Sequence, residues 1–520
     1  MSPIEAYAAR FGSAYKWLST ITVMLGTIVT SAAITMVNVA MPDIMGAFGM
    51  GEDQVQWLST GFLAAMTATM LLTAWVLGRF GYRLAFLGSL VLFMAGSIAG
   101  AAASSSDAVI LARVLQGMAS GLIQPMAMVV LSQVFPRQQR GRAMGIFGIG
   151  IVLSPAVGPT LGGILVDQYS WRYVFVAMVP LCVLAMAAVA VFLPGRDRSD
   201  KTVHPFDGFG FVSLSVFLVC LLSGLSNGQR DGWDSDLILS LFAGALASGA
   251  AFMAWELTHT NPLLNLRVFA SGGFSACCFI SFAFGVGIFG STYLVPMFVQ
   301  LVQGYTPTRC GLLLMPAGLV LAMVFPLAGH VSDRTPPWLP VMVGLALFGW
   351  SNWLCGDANV DTPFWTFAAW IAFGRIGSGL MTPALNAGAL RALPAELLAQ
   401  GSGAVNFVRM LGGALGVNLI SVLVERRTAF HGDALALAMT RTSHVASHTV
   451  LQLGLLLAHW GNPFGTRLPG RTPPAADAFM ESMLVPQARL FAYQDGFLIV
   501  AVLFFVTLLP ALLIPRRQQA

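Results

Sequence analysis

Apolar runs of about 20 residues recur along the whole length of the 520-residue chain. A run of this length is what a helix needs to cross the hydrocarbon core of a bilayer. Composition agrees, because 57% of the residues are hydrophobic and 9% are charged, whereas soluble proteins carry about 25% charged residues. The first run follows Lys16 and is too long for a cleaved signal peptide. The chain is therefore predicted to be an all-α integral membrane protein.

These runs predict fourteen spans, arranged as six, two and six. The predicted spans are residues 17–41, 55–77, 84–105, 108–134, 143–166, 172–194, 209–227, 236–257, 272–302, 310–331, 338–356, 363–390, 400–425 and 491–514. The predicted domains are a bundle at 1–195, a linker with two inserted spans at 196–268, and a second bundle at 269–520. The second bundle contains a long outer loop at 426–490, within which short helical pieces are predicted at His448–Trp460 and near Ala475–Leu484.

Lysine and arginine residues lie almost entirely in the loops on the same side as the N-terminus. The short loops of the other side hold only Arg172, Arg230 and Arg309. Cytoplasmic loops carry such an excess of basic residues, so both termini are predicted to be cytoplasmic. The net charge of +5 is scattered over these loops, which excludes a nucleic-acid partner.

Cysteine and histidine residues do not form the groupings typical of a metal or catalytic site. The six cysteines lie in or beside apolar runs, and the seven histidines lie at or beyond span ends. We expect no metal, no cofactor and no enzymatic activity. An integral-membrane enzyme is the alternative from a different class, and a receptor is disfavoured because we find no signalling domain.

An internal repeat relates the fourth and the twelfth predicted spans. SGLIQP at Ser120–Pro125 recurs as SGLMTP at Ser378–Pro383, and Pro136 and Pro394 follow at the same interval. Chance similarity of glycine-rich helices is the alternative explanation. The repeat predicts two six-helix bundles with two inserted helices between them.

A stripe of small residues marks the fifth predicted span, Gly148–Gly163. A spacing of four places one set of them on a single helix face: Gly150, Ser154, Gly158 and Gly162. The same segment contains further residues that loosen or smooth a helix: Pro155, Pro159 and Gly163. In lipid a bare face lets another helix approach closely. We predict a gating interface between the two bundles here, with a static close-packed helix pair as the alternative.

These motifs resemble those of the major facilitator superfamily, and specifically its fourteen-span drug:proton antiporter branch of the EmrB type. The fifth span is similar to the antiporter motif of that superfamily. Four further segments are similar to the motifs of the fourth helix, the first helix, the inserted pair and the thirteenth helix: Leu111–Pro125, Ile34–Pro42, Trp255–Pro262 and Asn406–Gly416. The resemblance covers nearly the whole chain and does not specify a substrate.

The resemblance implies a multidrug efflux transporter of the bacterial inner membrane, working by proton-coupled alternating access. Its substrates would be hydrophobic or amphipathic small molecules, and its other partners protons and membrane lipid. The long outer loop would meet a periplasmic adaptor and, through it, an outer-membrane channel; a loosely folded surface loop is the alternative. Within the same class, the alternative is a dedicated exporter of one metabolite, such as a fatty acid or a siderophore.

Two residues are the proton-coupling candidates. Arg113 is a charge inside a span, which costs at least about 2.5 kcal/mol unless it faces a polar interior or a partner. The resemblance implicates it in proton movement, and a structural arginine bonded to free carbonyls is the alternative. The family has an acid near the start of the first-helix signature, where this chain has Ala33, and no Asp or Glu lies in the middle of a span. Asp167, directly after the antiporter motif, is therefore the acid to test first. Other span-end acids are Asp207, Glu256 and Glu425.

The loop motif of the family between the second and third spans is kept only in part, because Gly78 stands where the family has Asp. The resemblance implies a latch formed by this loop and its counterpart in the second half, with these residues: Arg79, Gly81, Arg83, Asp333 and Arg334. A substrate path is expected between the halves near the midplane. The cavity candidates are Asn38, Gln116, Gln124, Tyr293, Met297 and Arg409.

Overall fold

The computed structural model describes residues 11–135, 154, 157–195, 206–259, 262–394, 397–438 and 474–514. All regular secondary structure within these ranges is helical. The helices up to the linker are α1 Tyr15–Phe48, α2 Glu52–Val55, α3 Trp57–Met70, α4 Thr73–Ala101, α5 Ser106–Val134, α6 157–168, α7 Arg172–Val176 and α8 Met178–Phe192. The remaining helices are α9 Gly208–Asp231, α10 Asp236–Thr258, α11 Gly272–Leu301, α12 Pro307–Arg334, α13 Trp338–Gly356, α14 Phe364–Arg391, α15 Leu398–Ala438 and α16 Pro474–Ala511.

Eleven of the described helices are long and apolar enough to cross a membrane. The all-helical membrane architecture predicted from the sequence is therefore confirmed. The count of fourteen stays a prediction. In the second span, α3 ends at Met70 and a new helix begins at Thr73, and much of the fifth span lies outside the described residues.

The repeated motif occupies equivalent positions in α5 and α14. Pro125 and Pro383 both lie inside their helices. A Cβ at Gly121 would overlap the Met66 carbonyl oxygen of α3, and one at Gly379 would lie 2.9 Å from a Val324 methyl of α12. Each repeat helix therefore uses its glycine to pack on the helix two predicted spans earlier. Pro136 lies outside the described residues.

Helices α9 and α10 pack on each other and lie beside both parts of the chain. The Gln56 amide before α3 donates to the Ser226 hydroxyl of α9 at 3.0 Å. From the other side, the Asn418 amide of α15 donates to the Leu222 carbonyl at 3.2 Å. We call α1–α8 the N-terminal helices, α9 and α10 the inserted pair, and α11–α16 the C-terminal helices.

The long outer loop predicted at 426–490 is helical at both of its ends. Helix α15 continues to Ala438 and α16 begins at Pro474, so the piece predicted at Ala475–Leu484 is the first part of a longer helix. Hydropathy detects membrane burial, and these polar helix ends lie beyond the apolar stretch. The short helix predicted at His448–Trp460 lies outside the described residues.

The extended helix ends, 426–438 of α15 and 474–495 of α16, form what we call the outer hairpin. A single carboxylate oxygen of Asp495 accepts from Arg427 Nε at 2.6 Å and from His431 Nε2 at 2.7 Å. A Cβ at Gly432 would lie 4.0 Å from the Ala488 Cβ. The two helices therefore stay in contact beyond their apolar stretches. We call the end of the molecule that carries this hairpin the outer end, following the predicted orientation.

Candidate functional site

Arg113 joins three N-terminal helices from a fully buried position. Its Nε donates to the Leu58 carbonyl of α3 at 2.8 Å, and Nη1 donates to Gln116 at 3.0 Å and to the Ala33 carbonyl of α1 at 3.4 Å. The guanidinium lies 4.2 Å from the centre of the Phe62 ring. Backbone carbonyls and an aromatic face thus take the place of a carboxylate partner around this charge.

The polar environment of Arg113 extends in two directions. Its neighbour Gln116 donates to the Ser97 hydroxyl of α4 at 2.9 Å. On the other side, Nη2 has no hydrogen-bond partner and Arg113 lines a small cavity between the N-terminal and C-terminal helices. The lining residues are Ile34, Asn38, Ser59, Phe62, Leu63, Arg113, Phe289 and Val417. Of the predicted cavity residues, only Asn38 lines this cavity.

The other cavity candidates lie elsewhere. Tyr293 and Met297 are buried in α11, where the Tyr293 hydroxyl is 3.2 Å from the Ser421 hydroxyl of α15. Arg409 donates to Asn406 on its own helix. Gln124 is half-buried on α5, more than two turns from Gln116.

Helix α6 carries the described part of the small-residue stripe and packs closely on α1. The Ser154 hydroxyl, just before α6, donates to the Ile28 carbonyl at 2.9 Å. A Cβ at Gly158 would overlap the Thr35 hydroxyl, and the ideal Cβ of Gly162 lies 3.0 Å from the Met36 Cα. Gly150 and Pro155 lie outside the described residues.

The same helix contacts α12, across the boundary between N-terminal and C-terminal helices. A Cβ at Gly163 would overlap the Pro307 carbonyl, and one at Gly311 would overlap the carbonyl of Pro159. The Thr160 hydroxyl donates to the Gly311 carbonyl at 3.0 Å. The two backbones therefore approach this closely only because glycine stands at these positions.

Asp167 lies at the outer limit of the contact between α6 and α12. Its side chain is exposed, and one carboxylate oxygen accepts a 2.7 Å hydrogen bond from the backbone N–H of Thr308. Thr308 lies in the first turn of α12, where an acidic side chain is favoured by the helix dipole. This acid therefore bridges N-terminal and C-terminal helices.

The predicted loop latch is described in part. Gly81 has a φ of +72°, a backbone conformation that L side chains rarely adopt. Arg83 donates through Nε to the Leu193 carbonyl at 2.8 Å, while Arg79 and Arg334 are exposed. A Cβ at Gly78 would meet open space, so the missing acid leaves a vacant surface position. The side chain of Asp333 lies outside the description.

Two further span-end acids lie at the inner end of the inserted pair, where Asp207 caps the first turn of α9. Asp207 accepts from the Trp255 indole at 2.8 Å and from the Gly210 backbone at 2.9 Å. Glu256 accepts from the Leu264 backbone at 2.9 Å. Each has a second, buried oxygen without a hydrogen-bond partner. Neither acid lies near Arg113 or the contact of α6 with α12.

Glu52 is an acid of the outer end that sequence reasoning did not select. It begins α2, and its carboxylate accepts from the Tyr493 hydroxyl at 3.1 Å and pairs with Arg489 at 3.3 Å. Its carbonyl accepts from the Ser421 hydroxyl at 3.2 Å. All three partners belong to C-terminal helices. In the sequence Glu52 is an acid after Gly51 in a short outer segment, and no motif there indicates its distant partners.

The outer end is closed by these and two more contacts. Asn38 donates to the Thr292 carbonyl at 3.3 Å, and Gln300 donates to the Val39 carbonyl at 3.0 Å. Between residues that the structure describes, every hydrogen bond joining N-terminal to C-terminal helices lies at the outer end or near the midplane. Access between the two parts is therefore blocked from the outer side.

A family model described as Major Facilitator Superfamily matches residues 23–417. The chain belongs to the major facilitator superfamily. The sequence resemblance to this superfamily is thereby confirmed, and with it the assignment of the chain to a family of transporters.

Several bacterial members of the superfamily are similar over most of their length. The Multidrug resistance protein B homolog of Mycobacterium tuberculosis strain H37Rv is 29% identical over 96% of this chain and 89% of its own. The Multidrug export protein EmrB of Haemophilus influenzae is 30% identical, covering 86% of each chain. The Tetracenomycin C resistance and export protein of Streptomyces glaucescens is 30% identical over 79% of this chain and 76% of its own.

Solved structures of two transporters share the fold. A bacterial homologue of the human lysosomal transporter Spinster, described as inward-facing and unoccupied, aligns with a TM-score of 0.62, 15% identity and coverage of 98% of this chain and 100% of its own. A D-xylose-proton symporter aligns with a TM-score of 0.61, 14% identity and coverage of 96% and 98%. The major facilitator fold is therefore established for this chain.

Proposed function

We propose that this major facilitator protein is a proton-coupled multidrug efflux transporter of the bacterial inner membrane, with both termini in the cytoplasm. Relatives named for multidrug resistance and export support the drug class. The observation that carries the mechanism is the closed outer end, where α6 and α12 meet through glycine positions and few hydrogen bonds.

The closed outer end supports an alternating-access cycle. Contacts through bare backbone interlock no side chains, so the two surfaces part without repacking a core. Thr160 and Asp167 supply the only hydrogen bonds between α6 and α12 among the described residues. Opening therefore requires breaking a small number of bonds whose groups are then solvated by water entering from outside.

The cavity beside Arg113 is small, about 10 Å³, and would have to widen to admit a substrate. Five of its eight lining residues are apolar, and Asn38, Ser59 and Arg113 supply polar groups. Such a lining suits hydrophobic or amphipathic compounds and fixes them through few directional bonds. In this proposal, a compound enters from the inner side, and the outer end opens to release it.

Transport in proteoliposomes with an imposed pH gradient tests the proposal. We expect accumulation of a lipophilic dye against its gradient that collapses when a protonophore is added. We expect Arg113→Ala to abolish this dye accumulation. Asp167→Asn keeps an oxygen that accepts from Thr308, so it should abolish accumulation only if Asp167 carries the proton. The exposed acid Asp107 provides a matched control, Asp107→Asn. Equal dye accumulation in liposomes with and without the protein would refute the proposal.

A dedicated exporter of one metabolite is the second candidate. It is favoured by the relative named for tetracenomycin C resistance and export, which covers 79% of this chain. Competition distinguishes the two. A multidrug transporter is inhibited by several unrelated lipophilic compounds, whereas a dedicated exporter is inhibited by close analogues of one compound.

We further propose that the outer hairpin docks a periplasmic adaptor and, through it, an outer-membrane channel. The hairpin projects two packed helix ends beyond the apolar stretches of α15 and α16. Deleting 431–488, which removes most of the hairpin, should abolish co-purification with an adaptor and preserve dye transport in proteoliposomes. Undiminished co-purification would exclude the outer hairpin as the docking element.

A further inference from the structure

Glu52 connects the short outer helix α2 to two C-terminal helices. Its side chain is 13% exposed and contacts Arg489 and Tyr493 of α16, while its carbonyl contacts Ser421 of α15. No other described acid places a buried carboxylate between N-terminal and C-terminal helices; Asp167, which also bridges them, is exposed. Separation of the two parts at the outer end must therefore expose the Glu52 carboxylate to water.

The groups that face Glu52 do not fully compensate its charge. Arg489 on α16 is the cation that pairs with Glu52 among the described residues, while Arg426 acts on Glu425 and Arg230 acts on Asp53. Against Arg489 stand Asp53 on α2 and Glu425 on α15, and the buried phenols of Tyr293 and Tyr493 complete the surroundings. Burial, followed by the neighbouring Asp53, raises the pKa of Glu52 above its ordinary value of 4.5, although Arg489 and Tyr493 act in the opposite direction.

We propose that Glu52 takes up a proton from the outer side when the outer end closes, and that this protonation favours the closed arrangement. The role in transport rests on the proposed function, whereas the link between protonation and closure does not. The proton binds a carboxylate oxygen to give a neutral acid, which still accepts from the Tyr493 hydroxyl. Arg489 is 32% exposed and keeps water contact when its charge partner is neutralised.

The direction of the effect follows from linkage. In the open arrangement Glu52 meets water and has a pKa near 4.5, and in the closed arrangement the pKa is higher. The arrangement with the higher pKa binds the proton more tightly, so acid favours closure. This contribution is fully present below pH 4.5 and is lost as the pH rises through the raised pKa. An antiporter needs this sign, because a proton taken up outside must return the carrier to its inward-open arrangement.

Pulsed electron paramagnetic resonance measures the opening directly. Spin labels at Ser104→Cys and Val360→Cys, in a variant without the native cysteines, occupy exposed outer loops of the N-terminal and C-terminal parts. In lipid nanodiscs, we expect a longer-distance population that grows as the pH rises above 4.5 and through the raised pKa of Glu52. The closed-to-open ratio should fall about tenfold for each pH unit by which the two pKa values differ.

Variants separate Glu52 from other titrating groups. Glu52→Gln mimics the protonated acid and should give the short distance at every pH, while the exposed control Asp107→Asn should respond like the parent protein. Tyr493→Phe keeps the carboxylate, removes a hydrogen bond that favours its charged form, and should move the response to higher pH. A parent protein insensitive to pH, or a Glu52→Gln protein that still responds, would overturn the proposal.

This experiment contains no drug, so its outcome is independent of the proposed function. A pH-dependent distance together with absent dye transport would retain the role of Glu52 and refute drug efflux. Proton-driven dye transport with a pH-independent distance would retain drug efflux and refute the role of Glu52.

Discussion

At the residue scale, Arg113 shows how a fully buried charge is accommodated without an acid. Three donors of its guanidinium bind two main-chain carbonyls and one amide oxygen, and a ring covers one face. These bonds tie α1 and α3 to α5. The unpartnered Nη2 beside the cavity is the one part of the group left for a ligand or a water molecule.

Arg113→Lys should destabilise the protein although it preserves the charge. A lysine has one donor group and cannot bind the Leu58 and Ala33 carbonyls together in the forked geometry of arginine. Leaving a buried group unsatisfied costs about 1–3 kcal/mol, so the melting temperature in detergent should fall measurably. The exposed Arg79→Lys is the matched control. An unchanged melting temperature for Arg113→Lys would show that these bonds do not stabilise the fold.

The sequence placed Arg113 inside a span but gave no information about its partners. Carbonyl groups carry no sequence signature, because every residue has one. Glu52 is hard to select for a different reason, because its side-chain partners Arg489 and Tyr493 lie more than four hundred residues away in the chain. Asp167 was selected from its position after a motif, and its partner is again a backbone group.

At the element scale, the contact of α6 with α12 depends on glycine at two positions. The ideal Cβ positions of Gly163 and Gly311 both overlap the facing backbone. Backbone cannot move aside as a flexible side chain can, so a larger residue must separate the helices. The four-residue spacing predicted a close approach along the face of Ser154, Gly158 and Gly162, and the structure packs that face on α1. The contact with α12 is made by Gly163, which lies off that face.

Gly163→Val should destabilise the closed outer end. The added side chain meets the Pro307 carbonyl, so we expect more of the outer-open arrangement and at least a tenfold loss of dye transport, which corresponds to about 1.4 kcal/mol. The distance between labels at Ser104→Cys and Val360→Cys provides the measurement. Gly88→Val is the control, since a Cβ at Gly88 meets nothing within 4 Å. Equal transport by both variants would rule out this contact as a gate.

The outer hairpin should loosen when its shared acid is removed. Asp495→Ala frees Arg427 and His431, which both bind one oxygen of Asp495. Because these groups are partly exposed, we expect a loss of at most about 1 kcal/mol. Hydrogen exchange at the backbone of 426–438 should accelerate a few-fold, while Asp433→Ala, an exposed acid on the same helix end, should leave it unchanged. Identical exchange in both variants would contradict the assigned contact.

At the scale of the whole molecule, the apolar runs and the proline-containing repeat were sufficient to predict an all-helical membrane protein of the major facilitator superfamily. They did not predict the outer hairpin, because helix ends beyond the membrane are polar and their hydropathy resembles that of a loop. Nor did they predict that α9 bridges α3 and α15, since Gln56 and Asn418 are ordinary polar residues until packing brings them to Ser226 and Leu222. Periodicity reports which face is apolar, whereas partners depend on the assembled bundle.

In the proposed mechanism, the outer end opens and closes once in each transport cycle. Gln168→Cys and Arg309→Cys lie on exposed residues next to the Asp167–Thr308 bond, on the N-terminal and C-terminal sides of this contact. Asp433→Cys and Gln487→Cys lie next to the Gly432–Ala488 contact, within the C-terminal helices alone. Each pair, in the variant without native cysteines, is joined by the same short thiol cross-linker before proton-driven dye transport is measured in proteoliposomes. We predict that cross-linking abolishes transport for the first pair and leaves it unchanged for the second; undiminished transport by a fully cross-linked first pair would contradict the account.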